Sequence, residues 1–75
     1  MPKPLRVSGK DMIRALERLG FLQIRQQGSH TILKKQTPNC EIGCVIPLHR
    51  ELALRTLKSI LKQAGIDFNE FIKNL

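Results

Sequence analysis

The chain has no tryptophan and no tyrosine, and its three aromatic side chains are Phe21, Phe68 and Phe71. All three are expected in the core, which leaves the surface without the aromatic platforms on which single-strand binders stack bases. With so few rings, the core must rest on Leu, Ile and Val. Long apolar runs are also missing. No stretch approaches the roughly 20 residues needed to cross a bilayer, and the Pro-Lys-Pro start lacks the apolar segment of a secretory signal, so a cytoplasmic location is expected.

Cysteine is scarce as well. Cys40 and Cys44 lie four apart in a predicted strand, where about 3.3 Å per residue sets their backbones roughly 13 Å apart, beyond disulfide reach. Both are expected as buried free thiols. A zinc site built from Cys40, Cys44, His30 and His49 would need a C-x3-C pair, unlike the C-x2-C knuckle of structural zinc sites, so no metal is expected.

Acidic residues are the last shortage. Six Asp and Glu face thirteen Lys and Arg, for a net charge of +7 and an isoelectric point near 10.1. A field of that sign on so small a body attracts polyanions, and nucleic acid leads the possible partners. Seventy-five residues suffice for one domain, residues 1–75, with a modest core, since a chain of this size buries only about 60% of its unfolded surface.

Two punctuation systems alternate along the chain. Residues 1–7, with two prolines and two cations, read as an extended lead-in. Ser8 and Asp11 have capping-box spacing, and Met12, Ile13, Leu16 and Leu19 recur at helical intervals until Gly20, which predicts a helix over 9–19. Period-two or β-branched segments follow at 21–26, 30–35 and 42–46. Gly28-Ser29 suits a tight hairpin and Thr37-Pro38-Asn39 a looser one, so the three strands should form an antiparallel meander, the third ending at Pro47. From about Glu51 the pattern is helical again, with Leu54, Leu57, Ile60, Leu61 and Ala64 on one stripe and Gly65 as the cap. Asp67 and Glu70 then introduce a short last helix whose Phe71, Ile72 and Leu75 should fold back onto the core. The resulting fold is α+β, in the order α-β-β-β-α-α, with the helices on one face of the sheet and the other face open to solvent.

The cations follow the helices. Lys10, Arg14 and Arg18 step by four along the first, and Arg55, Lys58 and Lys62 by three and four along the second, with Glu17 and Glu51 as partial neutralisers. Two basic ridges of this kind favour phosphate contacts, which supply affinity rather than sequence choice.

His30 opens the second strand, just past the Gly28-Ser29 turn. An imidazole there can exchange protons at cellular pH, while nearby cations stabilise charge on a phosphorus transition state. RNA carries its own nucleophile, the 2′-hydroxyl, so its cleavage needs proton transfer and positive charge but no metal. On chemistry alone His30 reads more readily as a turn residue than as a catalyst, Ser29 equally as a hairpin cap or a phosphate contact, and His49 as a capping or packing residue of open role. A non-catalytic RNA-binding module would use the same cations. A DNA-binding regulator is disfavoured, because no helix-turn-helix spacing is present.

Four stretches, SGKDMIRALERLGF, GSH, VIPLH and TLKSILKQAGI, together resemble the HicA toxins of HicA-HicB toxin-antitoxin pairs across nearly the whole chain. The resemblance implies a double-stranded-RNA-binding-domain-like fold and an mRNA interferase, an endoribonuclease whose catalytic residue is the His of GSH, here His30, with no cofactor. It also implies a HicB-like antitoxin that binds the toxin and obstructs the site. RNA contacts are expected from Lys10, Arg14, Arg25, Ser29, Lys34, Arg55, Lys58 and Lys62. Two positions depart from the family pattern: Gln26 and Gln27 stand where Lys or Arg often precedes GSH, and Arg55 stands where Gly often precedes the Thr-Leu of the second helix. Charge beside His30 then falls to Arg25, Lys34 or the first helix.

Overall fold

A computed structural model describes residues 6–75. It runs α1 (Gly9–Arg18), β1 (Leu22–Gln27), β2 (His30–Gln36), β3 (Glu41–Pro47), α2 (Leu54–Ala64) and α3 (Phe68–Lys73). The strands form one antiparallel sheet in the order β1-β2-β3, the expected meander of a double-stranded-RNA-binding-domain-like fold. Most of the extended lead-in falls outside the described residues. Val7, at its end, is buried and accepts the Leu52 N–H at 2.7 Å.

Helix α1 starts as its spacing predicts. Ser8 Oγ accepts from the Asp11 N–H at 3.0 Å, while Asp11 Oδ2 accepts from the Ser8 N–H at 3.1 Å. Two otherwise orphaned donors are satisfied reciprocally. Met12, Ala15 and Leu16 are fully buried below it and share one core cluster with Leu33 and Ile46 of the sheet and Phe71 of α3. Helix α2 lays Leu57, Ile60, Leu61 and Ala64 on the same core, chiefly over β3.

Four packing expectations need correction. Helix α2 begins at Leu54 rather than near Glu51, because residues 51–53 stay outside the helix while Leu52 is sunk in the core and bonded to Val7. Leu54 then occupies the first turn, where it overhangs the core and is 55% exposed. Helix α3 is only six residues long and can bury one face, so Phe71 is enclosed while Phe68, Ile72 and Leu75 remain exposed; Phe68 stacks its tilted ring 6.5 Å from Phe71 instead. Cys40 is exposed: it closes the β2–β3 turn, donating its N–H to Thr37 Oγ1 at 3.0 Å, and lies just outside β3.

Strand β1 differs from its neighbours in having every residue exposed. The ladder pairs Gln23 with Leu33 and Arg25 with Ile32, so Ile24 is an extra residue that bulges from the edge, a device that twists an edge strand away from further pairing.

Candidate active site and nucleic-acid interface

The β1–β2 hairpin is held by a two-residue turn, with Gln27 paired to His30 across Gly28-Ser29. Gly28 has φ of +60° and Ser29 does not enter the positive region, the pattern of a type II′ turn, which takes glycine at its first central position. His30 is therefore fixed as the first rung of β2, opposite Gln27 on one side and Pro47 on the other. Thr31 and Leu33 are buried against the helices, so the pleat places His30 on the open face with Ile32 and Lys34. Its side chain is exposed at the end of the sheet.

Three segments converge on that rim. The Leu48 N–H donates to the Ser29 carbonyl at 2.7 Å, which pins the β3–α2 loop to the hairpin turn. The Gly9 N–H donates to the His49 carbonyl at 2.9 Å, which pins the start of α1 to the same loop. The approach is close enough that a Cβ on Gly9 would overlap the Pro47 carbonyl oxygen. Sequence reasoning did not single out Gly9, because nothing in its neighbourhood announces a contact with a segment nearly forty residues away.

The chain directions give this rim its electrostatics. Strand β3 runs toward it, and α1 and α2 both start from it, so two helix N-termini with their partial positive charge lie at the end where His30 stands. Helix α1 is capped by Ser8 and carries Asp11 in its first turn; α2 follows Ala53, which makes no side-chain cap, and has no acid in its first turn.

The predicted cations divide by distance from His30. Lys10 lies in the first turn of α1 and lines a hollow of about 350 Å³ with Ser8, Leu48, His49 and Arg50. Lys10 and Arg14 also line a groove of about 470 Å³ between α1 and the sheet, with Glu17, Gln23, Gln26 and Thr31. Arg55 lies in the first turn of α2, and Arg25 is exposed near the hairpin end of β1. Lys58 and Lys62 are exposed but farther off; at 1.5 Å rise per residue Lys62 stands roughly 10 Å beyond Arg55. Lys34 is four residues along β2 from His30, roughly 13 Å, and pairs with Glu41 at 3.2 Å. Arg18 donates to the Asn74 carbonyl at 2.8 Å and ties α1 to the C-terminal segment. Arg50 joins the rim without having been singled out, because a lone loop cation has no periodicity to mark it.

Neither cysteine adds to this site. Burial pushes the Cys44 thiol up to about 11 from an ordinary 9.0, which keeps it protonated and non-nucleophilic at neutral pH.

The result is a small basic α+β body with an exposed imidazole at the end where two helices begin. A family of known proteins has the same sequence pattern: the match to the HicA toxins of bacterial toxin-antitoxin systems covers residues 9–66, from the start of α1 to just past α2. The chain belongs to this toxin family. No curated protein matches it closely enough to count as a relative.

Proposed function

We propose that the protein is the RNA-cleaving member of a toxin-antitoxin pair, a cytoplasmic endoribonuclease that cuts mRNA with His30 as proton-transfer residue. The observation that carries this reading is the position of His30: exposed, fixed by ladder pairing on both sides, and set at the rim where α1 and α2 begin. Gly28 and Ser29 shape the turn that presents it. Lys10, Arg14, Arg25 and Arg55 supply the nearer phosphate contacts, while Lys34, Lys58 and Lys62 extend the track. RNA provides the nucleophile through its 2′-hydroxyl, so the chemistry asks of the protein only positioned proton transfer and positive charge.

The partner that restrains such a toxin is a HicB-like antitoxin. The open sheet face supports its docking there: Leu22, Ile24 and Val45 are 69, 55 and 45% exposed, bordered by Arg25 and Lys34, and an apolar strip with a basic rim suits a partner whose contact surface is apolar with an acidic border. His30 ends the same face, so a protein seated there covers it.

Purified protein incubated with RNA in the presence of EDTA, beside His30→Ala, tests the reading. Wild type should fragment the RNA and the variant should leave it intact while still binding it. If both bind RNA and neither cuts it, the chain is an RNA-binding module that uses the same cations without proton transfer.

A further inference from the structure

The chain has two histidines, and the fold brings both to one rim although they are far apart in sequence. His30 pairs with Pro47. The Ser29 carbonyl then accepts the Leu48 N–H, and His49 is the next residue. Paired and extended spacing therefore sets the two Cα atoms on the order of 8 Å apart. His30 lies on the open side of the sheet, whereas His49 lines the hollow shared with Ser8 and Lys10 of α1. Both histidines thus border one rim, His30 at the end of the sheet and His49 on the loop anchored to α1.

We propose that His49 is the general acid of the cleavage and His30 the general base, a pair that brackets one phosphodiester lying across the rim; this rests on the RNA-cleaving reading above. In-line displacement places the entering and leaving oxygens on opposite sides of phosphorus, and that geometry requires proton acceptor and donor on opposite sides too. Neutral His30 takes the 2′-hydroxyl proton as that oxygen attacks phosphorus. The bond from phosphorus to the 5′-oxygen breaks, and protonated His49 gives its proton to the departing oxygen. The products are a 2′,3′-cyclic phosphate and a free 5′-hydroxyl.

His49 is carried on anchored backbone, since its carbonyl holds the first N–H of α1 and Gly9 lets the two chains touch. Such anchoring keeps a proton donor oriented. The charged groups around it are Lys10 from α1, Arg50 beside it on the loop, Arg55 in the first turn of α2 and His30 across the rim. Asp11 is engaged in the α1 capping box, and Glu51 pairs with Arg6 at 3.5 Å. Lys10 and Arg50 are placed to hold the phosphate oxygens while the protons move.

The test maps one cut site on a mixed-sequence RNA with the wild-type protein. It then compares that RNA with a copy in which sulfur replaces the bridging 5′-oxygen at the site, because a thiolate leaves without needing a proton. His49→Ala should cut the oxygen substrate 10²- to 10⁴-fold more slowly, recover most of that loss on the sulfur substrate, and lose the high-pH fall of the rate profile, which reports a group that must stay protonated. His30→Ala should remain slow on both and lose the low-pH fall. His49 is exposed, so the variant should fold, and His49→Gln repeats the measurement with a polar side chain. A His49→Ala protein that cuts the oxygen substrate at the wild-type rate, or is slowed equally on both substrates, overturns the proposal while the His30 reading stands. A wild-type protein that leaves all RNA intact overturns both.

Discussion

The two faces of the sheet are built from the same three strands and have opposite fates. Toward the helices, Leu33, Cys44 and Ile46 are almost completely enclosed. On the other side, one residue along in each case, Ile32, Val45 and Pro47 look toward solvent, with Val45 at 45% exposure. An amphipathic sheet covered by one helical layer has this asymmetry built into its period of two. The consequence is a division of labour: the covered face supplies stability, whereas the open face and the rim at its end are free to carry residues chosen for function. His30 stands exposed at that rim, and its immediate neighbour Thr31 is buried on the covered face.

That division predicts opposite responses to the same kind of change. Leu33→Ala removes a fully buried side chain and should cost about 2–5 kcal/mol, a large share of the roughly 4–11 kcal/mol that 0.05–0.15 kcal/mol per residue allows a domain this size. Val45→Ala, on the adjacent strand β3 and on the other face, should stay within about 1 kcal/mol yet weaken antitoxin binding. Urea unfolding and titration with the partner measure the two separately. Similar losses of stability at both positions would show that the open face is no freer than the covered one.

Glycine offers a second contrast at the rim. Gly9→Ala puts a methyl into the Pro47 carbonyl, where backbone must move, and should cost about 1–3 kcal/mol together with RNA cleavage, since the displaced loop carries His49. At Gly28 an added Cβ meets nothing within 4 Å and only the φ of +60° is at stake, so Gly28→Ala should cost about 1–2 kcal/mol. Thermal unfolding ranks the two variants. A Gly9→Ala protein as stable and active as wild type would mean that the loop can retreat from α1 at no cost.

The buried thiol reports on the covered face directly. Cys44 has its folded pKa raised to about 11 from 9.0, so its contribution to stability is complete below pH 9 and is lost as pH climbs toward 11. Between pH 8 and 10.5 wild type should lose about 2 kcal/mol more than Cys44→Ala, with lysine titration common to both. At pH 8, iodoacetamide should modify one thiol in the native protein, Cys40, and both after denaturation.

Much of this architecture was legible along the chain, and the failures share a cause. Element order could be read because each segment's period is local: Ser8 and Asp11 announce α1, Gly28-Ser29 announces the hairpin, and Leu57, Ile60, Leu61 and Ala64 mark the buried stripe of α2. What escaped depended on distant partners. Leu52 delays α2 because it bonds Val7. Leu54 and Phe68 are apolar residues at positions that the core does not reach. The bulge at Ile24 exists only relative to β2. At the candidate site, the exposure of His30 followed from its hairpin, whereas the convergence of His49, Arg50 and Gly9 required the strand register and the point where α1 meets the loop.

The smallest effects should come from single cations, and they discriminate most finely between rim and periphery. Each phosphate neutralised on single-stranded RNA contributes about 0.7 to the slope of log affinity against log salt. Lys10→Ala and Arg55→Ala should therefore each lower that slope by about 0.7, so that a fourfold rise in salt costs each variant roughly threefold less affinity than it costs wild type. Lys62→Ala, roughly 10 Å farther along α2, should change it less, and Lys34→Ala less again, since Glu41 already neutralises that side chain at 3.2 Å. Binding of a non-cleavable 2′-deoxy analogue over a range of salt concentrations measures all four without interference from cutting. Equal slopes for rim and distant variants would mean that RNA is held diffusely by net charge; a graded series would mean that the strand is drawn toward the end where the imidazoles stand.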